Sequence, residues 1–399
     1  MLSSNSPTPC FSVPRLSLPP STSASRRPIV VDGAASTLLW RTEEQMPKPC
    51  AACCYPTTRS PVARNNLSTA VDVSVRPRCD AESIPERGFY YHPSRHSSGQ
   101  PIAAGWAYQF IARLNFVRES WTAPVDVARV HPPRDTNGVA AEQIAAFLGR
   151  SSQEGKTAPM FAFDAGYDSV KLQQGLEGSS ACQILVRLRA GRGFYDDPSL
   201  SEPFANINRP RPHGPKMKCS DPSTWPKPDH EYACEDAGYR NVRVRAWSEL
   251  HPKVSVHEGR GSRGPLPIVV GTLVLVEVAR LPRGERRRGP RVLWLCWAGP
   301  AGTDPDQGLL WRAYARRFDL EHTFRFLKQT FAWTSPRFRN PEQADRWTWL
   351  VVATFTQLRL VRASVADMRL PWERCYEAGR LTPVRVHRVV SRRPKRAEC

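Results

Sequence analysis

The chain has 399 residues and a formal net charge of +20, from 57 Lys and Arg against 37 Asp and Glu, with a pI near 9.9. That length allows one large core or two to three domains, and the charge favours a polyanionic partner, nucleic acid first, because a wide cationic surface gains affinity by releasing counterions from phosphates. The longest apolar run, "PIVVGTLVLVEVARL", meets Glu277 after ten residues and is too short to span a bilayer, no basic segment leads into an apolar stretch at the start, and eleven scattered Cys fit a reducing compartment better than a disulfide scaffold, so the reading is an intracellular protein with no membrane partner.

Residues 1 to 65 are Pro and Ser rich ("SSNSPTPCFSVPRLSLPPSTSASRRP") and sustain neither helical nor strand periodicity, which predicts a disordered segment. The C-x-x-C within "CAACC" at 50 to 54 has no second Cys or His pair at zinc-finger distance, so free thiols are the simpler reading. From Leu67 the texture changes. "LSTAVDVSV" reads as a strand, "GQPIAAGWAYQFIARLNF" as one or two more after a turn-rich stretch, "VAAEQIAAFLGR" as an amphipathic helix, and "APMFAFDAGYD" as a buried strand that stops at an Asp and a Gly. Strand, strand, helix, strand with carboxylates at strand ends suggests an α/β sheet.

Residues 181 to 305 break that rhythm. "ACQILVRLRAG", "YRNVRVRAWSELH", "PLPIVVGTLVLVEVARL" and "RVLWLCWAG" are strand-like and separated by long Pro and Gly loops, which predicts a β-rich insertion between residues 66–180 and 306–385. Helices then resume through "YARRFDLEHTFRFLK" and "PEQADRWTWLVVATFTQLRLVRASVADM", and residues 386–399 form a basic tail expected to fray.

On a helix of 100° per residue, Leu320, Phe324, Leu327 and Phe331 make an ordinary core stripe. Tyr314, Arg317, Glu321 and Lys328 form a second stripe beside it, which sets a carboxylate at the edge of a buried face between two cations. With the strand-associated Asp72 and Asp164, Glu321 gives what a magnesium-dependent phosphoryl-transfer site needs: hard oxygen ligands for Mg²⁺, and two such ions about 4 Å apart can activate an attacking oxygen and stabilise the leaving one.

The pattern Y-x2-R-x3-E-x6-K at Tyr314, Arg317, Glu321 and Lys328, with "FDAGYD" ahead of a strand-rich insertion, resembles the signature of insertion-sequence DDE transposases. Four fixed residues arise by chance in roughly one such chain in a few hundred, and "ERGFYYHPSRHSSGQPIAAGWAYQ" and "FTQLRLVRASVADMRLPWER" also resemble actinobacterial members, so the similarity covers residues 66 to 385. The resemblance implies an RNase H-like mixed-sheet α/β core flanked by helices, with the β-rich insertion between the second Asp and the Glu. It implies Asp72, Asp164 and Glu321 as catalytic metal ligands for two Mg²⁺ or Mn²⁺ ions, and Tyr314, Arg317 and Lys328 as contacts to the DNA of the element ends. Asp72 is preferred to Asp80 because it alone lies in an apolar strand context. Cutting element ends and joining them to target DNA, assembly as a homodimer on paired ends, and a bacterial cytoplasmic, nucleoid-associated location follow from the same resemblance. The helical end-recognition domain usual in such proteins is not legible in residues 1–65, whose texture resembles a decayed region, so a remnant that binds DNA without cutting it is the alternative.

Each residue also has a plainer reading. Arg317 and Glu321 at i, i+4 can be a surface ion pair, an Asp before Gly a turn former, and the run "RLPRGERRRGPR" a solvated loop. Trp294, Trp297 and Trp311 can stack on bases but are more often core. The His-x-x-Arg of "HPSR" at 92 to 95 raises tyrosine recombinase chemistry, yet after Tyr108 the next Tyr is Tyr167, inside "DAGYD", and the arrangement fails.

Overall fold

A computed structural model of the chain describes residues 68–92, 101–116, 119, 121–150, 157–179, 181–197, 213–253, 268–281, 291–376 and 380–392. The expectations for residues 1–65, for most of "HPSR" and for most of "RLPRGERRRGPR" lie outside them. The elements in order are β1 (Ser68–Pro77), β2 (Gly88–Tyr91), β3 (Ile102–Arg113), β4 (Ala123–Val130), α1 (Thr136–Arg150), β5 (Met160–Phe163), α2 (Ser169–Gly175), β6 (Gln183–Leu188), β7 (Gly193–Tyr195), β8 (Lys216–Lys218), β9 (His230–Asp236), β10 (Arg240–Pro252), β11 (Gly271–Val278), β12 (Arg291–Ala298), α3 (Gln307–Gln329), α4 (Pro341–Val361) and α5 (Pro383–Ser391).

One mixed sheet carries all twelve described strands. β3 pairs antiparallel with β1 on one side and with β2 and β4 on the other, while β5 runs parallel to β1 and β6 parallel to β5. Three antiparallel strands, a helix, then two parallel strands added on the far side of the first strand is the order of an RNase H-like core, as expected. The strand-rich stretch does not stand apart from this core. β6 belongs to it, and β12, β11 and β10 continue the same sheet antiparallel from β6.

Side-chain alternation sorts the sheet into two faces. Val71, Phe161, Phe163, Ile184 and Val186 pack against α1 and α2. On the other face, Ala70, Tyr108 and Phe110 meet Leu320, Phe324 and Leu327 of α3 and Val351 and Phe355 of α4. Met160, Ala162, Leu185, Val244, Val274 and Leu295 meet Leu310, Trp311, Ala313 and Tyr314 of α3. The first turns of α3 therefore lie on the extended part of the sheet and its last turns on the core part. Asp306 caps its N-terminus by accepting from the Leu309 amide at 3.0 Å, and Thr330 ends it with an amide bond to the Phe326 carbonyl at 2.8 Å. Phe331 thus lies beyond the helix, against Phe326, rather than continuing its stripe.

Several short or polar elements were not legible. β4 ("APVDVARV") and α2 were passed over, and β7, β8 and β9 fall in a segment that read as loop. β7 and β8 are only three residues each, too few to show a period, and β9 ("HEYACED") is an edge strand with little buried surface. α4 stops at Val361 instead of running to Met368. Residues 386–391 of the expected tail belong to α5, with Arg385 and Val386 buried and Arg388 paired to both oxygens of Glu373 at 2.7 and 2.8 Å, and residues 393–399 lie outside the described ones. Among the described residues no helix is long and apolar enough to cross a membrane, and the described cysteines are free thiols.

The loop between α3 and α4 is held by two buried arginines of the first strand. Arg76, fully buried, donates to the carbonyls of Trp333 and Pro336 and lies over the Phe338 ring, and Arg78 donates to the Phe338 carbonyl. Burial lowers the Arg76 guanidinium to about 10. Arg76→Met leaves the half-buried Pro336 carbonyl without this donor and the buried Trp333 carbonyl with only the Trp347 indole N–H at 3.0 Å, and should cost about 1–3 kcal/mol, read from urea unfolding midpoints; a loss below about 0.5 kcal/mol would show that the Pro336 carbonyl finds another donor.

Candidate active site

Strand register builds the floor of the site. Val71 lies opposite Phe163 in the parallel β1–β5 pair, and Phe163 lies opposite Val186 in the β5–β6 pair. One residue further along each strand come Asp72, Asp164 and Arg187, which sets these three side by side: Asp72 in the middle of β1, where its parallel pairing with β5 ends, Asp164 just past β5, and Arg187 next to the last residue of β6. Alternation turns all three toward α3, because Ala70, Ala162 and Leu185, two residues earlier on each strand, belong to the clusters on that face. Asp164 follows the last residue of β5, and the Tyr167 amide bonds back to its carbonyl at 3.2 Å, closing the turn. The second acid of "FDAGYD", Asp168, is spent on capping α2 through the Val170 and Lys171 amides.

The roof comes from the middle of α3, where its two apolar halves meet. Arg317 is 4 % exposed, and its guanidinium lies among three carboxylates: Nη1 is 2.7 Å from Asp72 Oδ2, and Nη2 is 3.3 Å from Glu321 Oε1 and 3.8 Å from Asp164 Oδ1. It also stacks on the Tyr314 ring, 5.5 Å from its centroid, while the Tyr314 hydroxyl donates to Asp164 Oδ1 at 3.4 Å. The half-exposed Arg187 approaches the same oxygen at 3.5 Å. Asp72 accepts the Val73 amide at 2.8 Å through its other oxygen.

The charges adjust to this crowding. Burial pushes the Asp72 carboxyl up; Arg317 and the Val73 amide oppose this, Asp164 and Glu321 reinforce it, and the result is about 6. Burial also acts upward on Asp164, but Arg317, the Ala165 amide, Arg187 and the Tyr314 hydroxyl outweigh it and leave the group below its ordinary value. For Arg317, burial favours the neutral form, and Asp72, Tyr314, Asp164 and Glu321 more than offset it, so the guanidinium is held firmly charged.

Two other expected residues lie apart from this cluster. Lys328, two helical turns beyond Glu321, has its ammonium 6.0 Å from the centroid of the Trp333 ring, and burial lowers its pKa. Asp80, the competitor for the first Asp, is paired with Arg78 at 3.1 Å and lies 4.0 Å from Arg337. Trp294, Trp297 and Trp311 are buried in the clusters on the two faces of the extended sheet, so they are core. Arg187 was missed by sequence reasoning: in "ILVRLR" it is an ordinary strand residue, and only the parallel register puts it beside Asp164.

Three carboxylates converging on one cation are a donor set that suits a hard divalent ion, and each keeps an exposed edge, with side-chain exposures of 18, 39 and 42 % for Asp72, Asp164 and Glu321. As placed, no three Asp, Glu, His or Cys side chains among the described residues stand close enough together to hold a metal ion. The Arg317 guanidinium lies between these carboxylates.

Residues 57–253 match the family described as DDE superfamily endonuclease. This region is similar to DDE-type endonucleases. The matched segment contains Asp72, Asp164 and Arg187, and Glu321 lies beyond it on α3. Among solved structures the chain is similar to that described as "Cryo-EM structure of piggyBac transposase synaptic complex with hairpin DNA", at 11 % identity and a TM-score of 0.34, over 74 % of this chain and 48 % of that one. The chain thus spans about half the length of that transposase, and at this score the likeness adds nothing to the strand order. No curated protein matches.

The raised Asp72 gives a pH dependence with a defined sign. The folded chain holds this proton up to about 6, whereas the ordinary value is 3.8, so the stability it contributes is full below the ordinary value and lost as pH rises through the folded one. In chelator, the melting temperature of the wild type should fall relative to Asp72→Asn between about pH 4 and pH 7; an offset that does not change with pH would mean that Asp72 is not the titrating group.

Proposed function

We propose that the chain is the DNA transposase of a bacterial insertion sequence, cutting strands at the element's ends with a divalent metal and joining the ends to target DNA. The observation that carries this reading is the convergence of Asp72, Asp164 and Glu321, from positions as far apart as the first strand and the third helix, on the one Arg317 guanidinium. The DDE-endonuclease match over two of the three carboxylates supports it, and so does the excess of cationic side chains, which suits a phosphate backbone.

In this reading Asp72, Asp164 and Glu321 hold Mg²⁺ or Mn²⁺, two ions in all, which supply activation of the attacking oxygen and neutralisation of the leaving one. Cleavage is attack of a water oxygen on phosphorus with departure of the 3′-oxygen, which leaves a 3′-hydroxyl and a 5′-phosphate; strand transfer is attack of that 3′-hydroxyl on a target phosphodiester, which breaks the bond from phosphorus to the target's 3′-oxygen and frees that oxygen as a new 3′-hydroxyl. The protein's part is position and charge. Tyr314 fixes Asp164 through its hydroxyl and Arg317 through its ring. Arg187, half-exposed beside Asp164, is placed to meet a phosphate. Lys328 lies further along the same helix and contacts the element end there. The homodimer on paired ends and the nucleoid-associated cytoplasmic location belong to the same proposal.

A second reading, a remnant that binds DNA through its charge and no longer cuts, draws on the guanidinium that occupies the place between the three carboxylates. Nicking of supercoiled plasmid by the purified chain with Mg²⁺ or Mn²⁺ separates the two. Metal-dependent nicking that disappears in Glu321→Ala and Asp164→Ala, with plasmid binding retained, is the expected outcome. Nicking that persists undiminished in both variants would sink the assignment of the carboxylates.

A further inference from the structure

Arg317 is more deeply buried than any of the carboxylates around it, and it touches all three. No other cation approaches two of them: among the described ion pairs, Asp72 and Glu321 meet only Arg317, and Asp164 meets Arg317 and Arg187. A carboxylate trio brought together at strand ends without a cation would repel itself apart. One planar guanidinium with several donors in a fixed fork is the side chain suited to bridge them. Its fork is not fully used, because Arg317 Nε is buried without a hydrogen-bond partner. The pairing is therefore serviceable and incomplete, a state that a better ligand can displace.

Resting on the metal-dependent reading above, we propose that Arg317 is the site's resident counter-ion, competing with the divalent metal for Asp72, Asp164 and Glu321, so that metal loading and release of the guanidinium are one event. Before metal arrives, Arg317 keeps the three carboxylates assembled. When metal takes them, the guanidinium loses its partners and becomes available to an anionic group entering the same place, which for this reading is a DNA phosphate. The element that swings is the Arg317 side chain alone, since its backbone is held in α3 by Leu320, Ala313 and Tyr314 in the core. Arg317 is thus a positioning residue, and the order it imposes is metal first, phosphate second.

The test is Mn²⁺ affinity of the full-length chain without DNA, by calorimetry, beside melting temperature in chelator and in Mn²⁺, for the wild type, Arg317→Gln and Arg317→Lys. Removing the competitor should tighten Mn²⁺ binding about tenfold or more in Arg317→Gln, because the metal no longer displaces a paired cation. The same variant should melt lower than the wild type in chelator and regain most of the difference in Mn²⁺. Arg317→Lys keeps the charge but not the fork, so its affinity should lie between the two. A residue that merely supports the fold would lower the melting temperature without tightening metal binding. If Arg317→Gln folds only when Mn²⁺ is present, that dependence supports the proposal, and Arg317→Lys supplies the affinity. Mn²⁺ binding that is equal or weaker in both variants overturns the competition and leaves the metal-dependent function standing on the plasmid assay. Absence of Mn²⁺ binding in all three chains overturns both.

Discussion

A buried guanidinium between three carboxylates is the interaction on which this structure turns. Burying a guanidinium is costly unless it is paired, and Arg317 is buried only where geometry lets it reach three carboxylates at once. The constraint explains why α3 crosses the sheet where it does. Its apolar side chains before Arg317 seat on β5, β6 and the added strands, those after it seat on β1, β3 and β4, and the one turn between the two clusters carries Arg317 and Glu321 over the ends of the parallel strands. Shifted by a turn in either direction, the helix would set Leu320 or Ala313 over Asp72 and leave the carboxylates unpaired.

That crossing depends on the strands that sequence reading set apart as an insertion. β10, β11 and β12 are not an appendage with a separate core: Val244, Val274 and Leu295 are the floor under Leu310, Trp311 and Tyr314. The opposite face of the same strands buries Trp247, Leu273, Leu275 and Trp294, with Trp225 packed at its edge. The aromatic residues of this region are thus consumed in holding the sheet extension rigid, and the extension in turn holds the N-terminal half of the helix that brings Glu321 to the site. The far half is fixed by other means. Thr122 and Thr323 share a buried hydroxyl bond at 2.8 Å, and Arg316 donates to the Asn115 carbonyl at 2.9 Å, tying α3 to the segment before β4.

The loop after α3 shows how the chain spends its cationic excess. Arg76 and Arg78 bind backbone carbonyls of residues 333–338, Arg129 pairs with Asp345 at 3.0 Å, and Arg385 pairs with Asp367 at 2.7 Å. These arginines are structural, planar donors used where a carbonyl or carboxylate must be satisfied inside the fold. The net charge of +20 is therefore not all available to a partner, and a count of Lys and Arg overstates the cationic surface.

The sequence by itself determined the long strands β1, β3, β5 and β10 to β12 and the helices α1, α3 and α4, because an apolar period survives over enough residues there to be read. Residue types at fixed spacing, strand context and the family resemblance they carry singled out Asp72, Asp164, Glu321, Arg317 and Tyr314 as candidates. β7, β8 and β9 escaped because three to seven residues with little burial leave no period, and β4, eight residues and mostly buried, because burial of both faces removes the alternation. The tertiary structure alone decided three things. Parallel register put Arg187 beside Asp164 and Asp72 beside Asp164, a relation between strands nearly a hundred residues apart that no local pattern encodes. Sheet continuation made the strand-rich segment part of the platform for α3. Arg317, which on a helical wheel is one half of an i, i+4 pair, became the centre of the carboxylate cluster, because only the packed fold brings two strand ends under that turn and excludes the water that would otherwise screen each charge on its own.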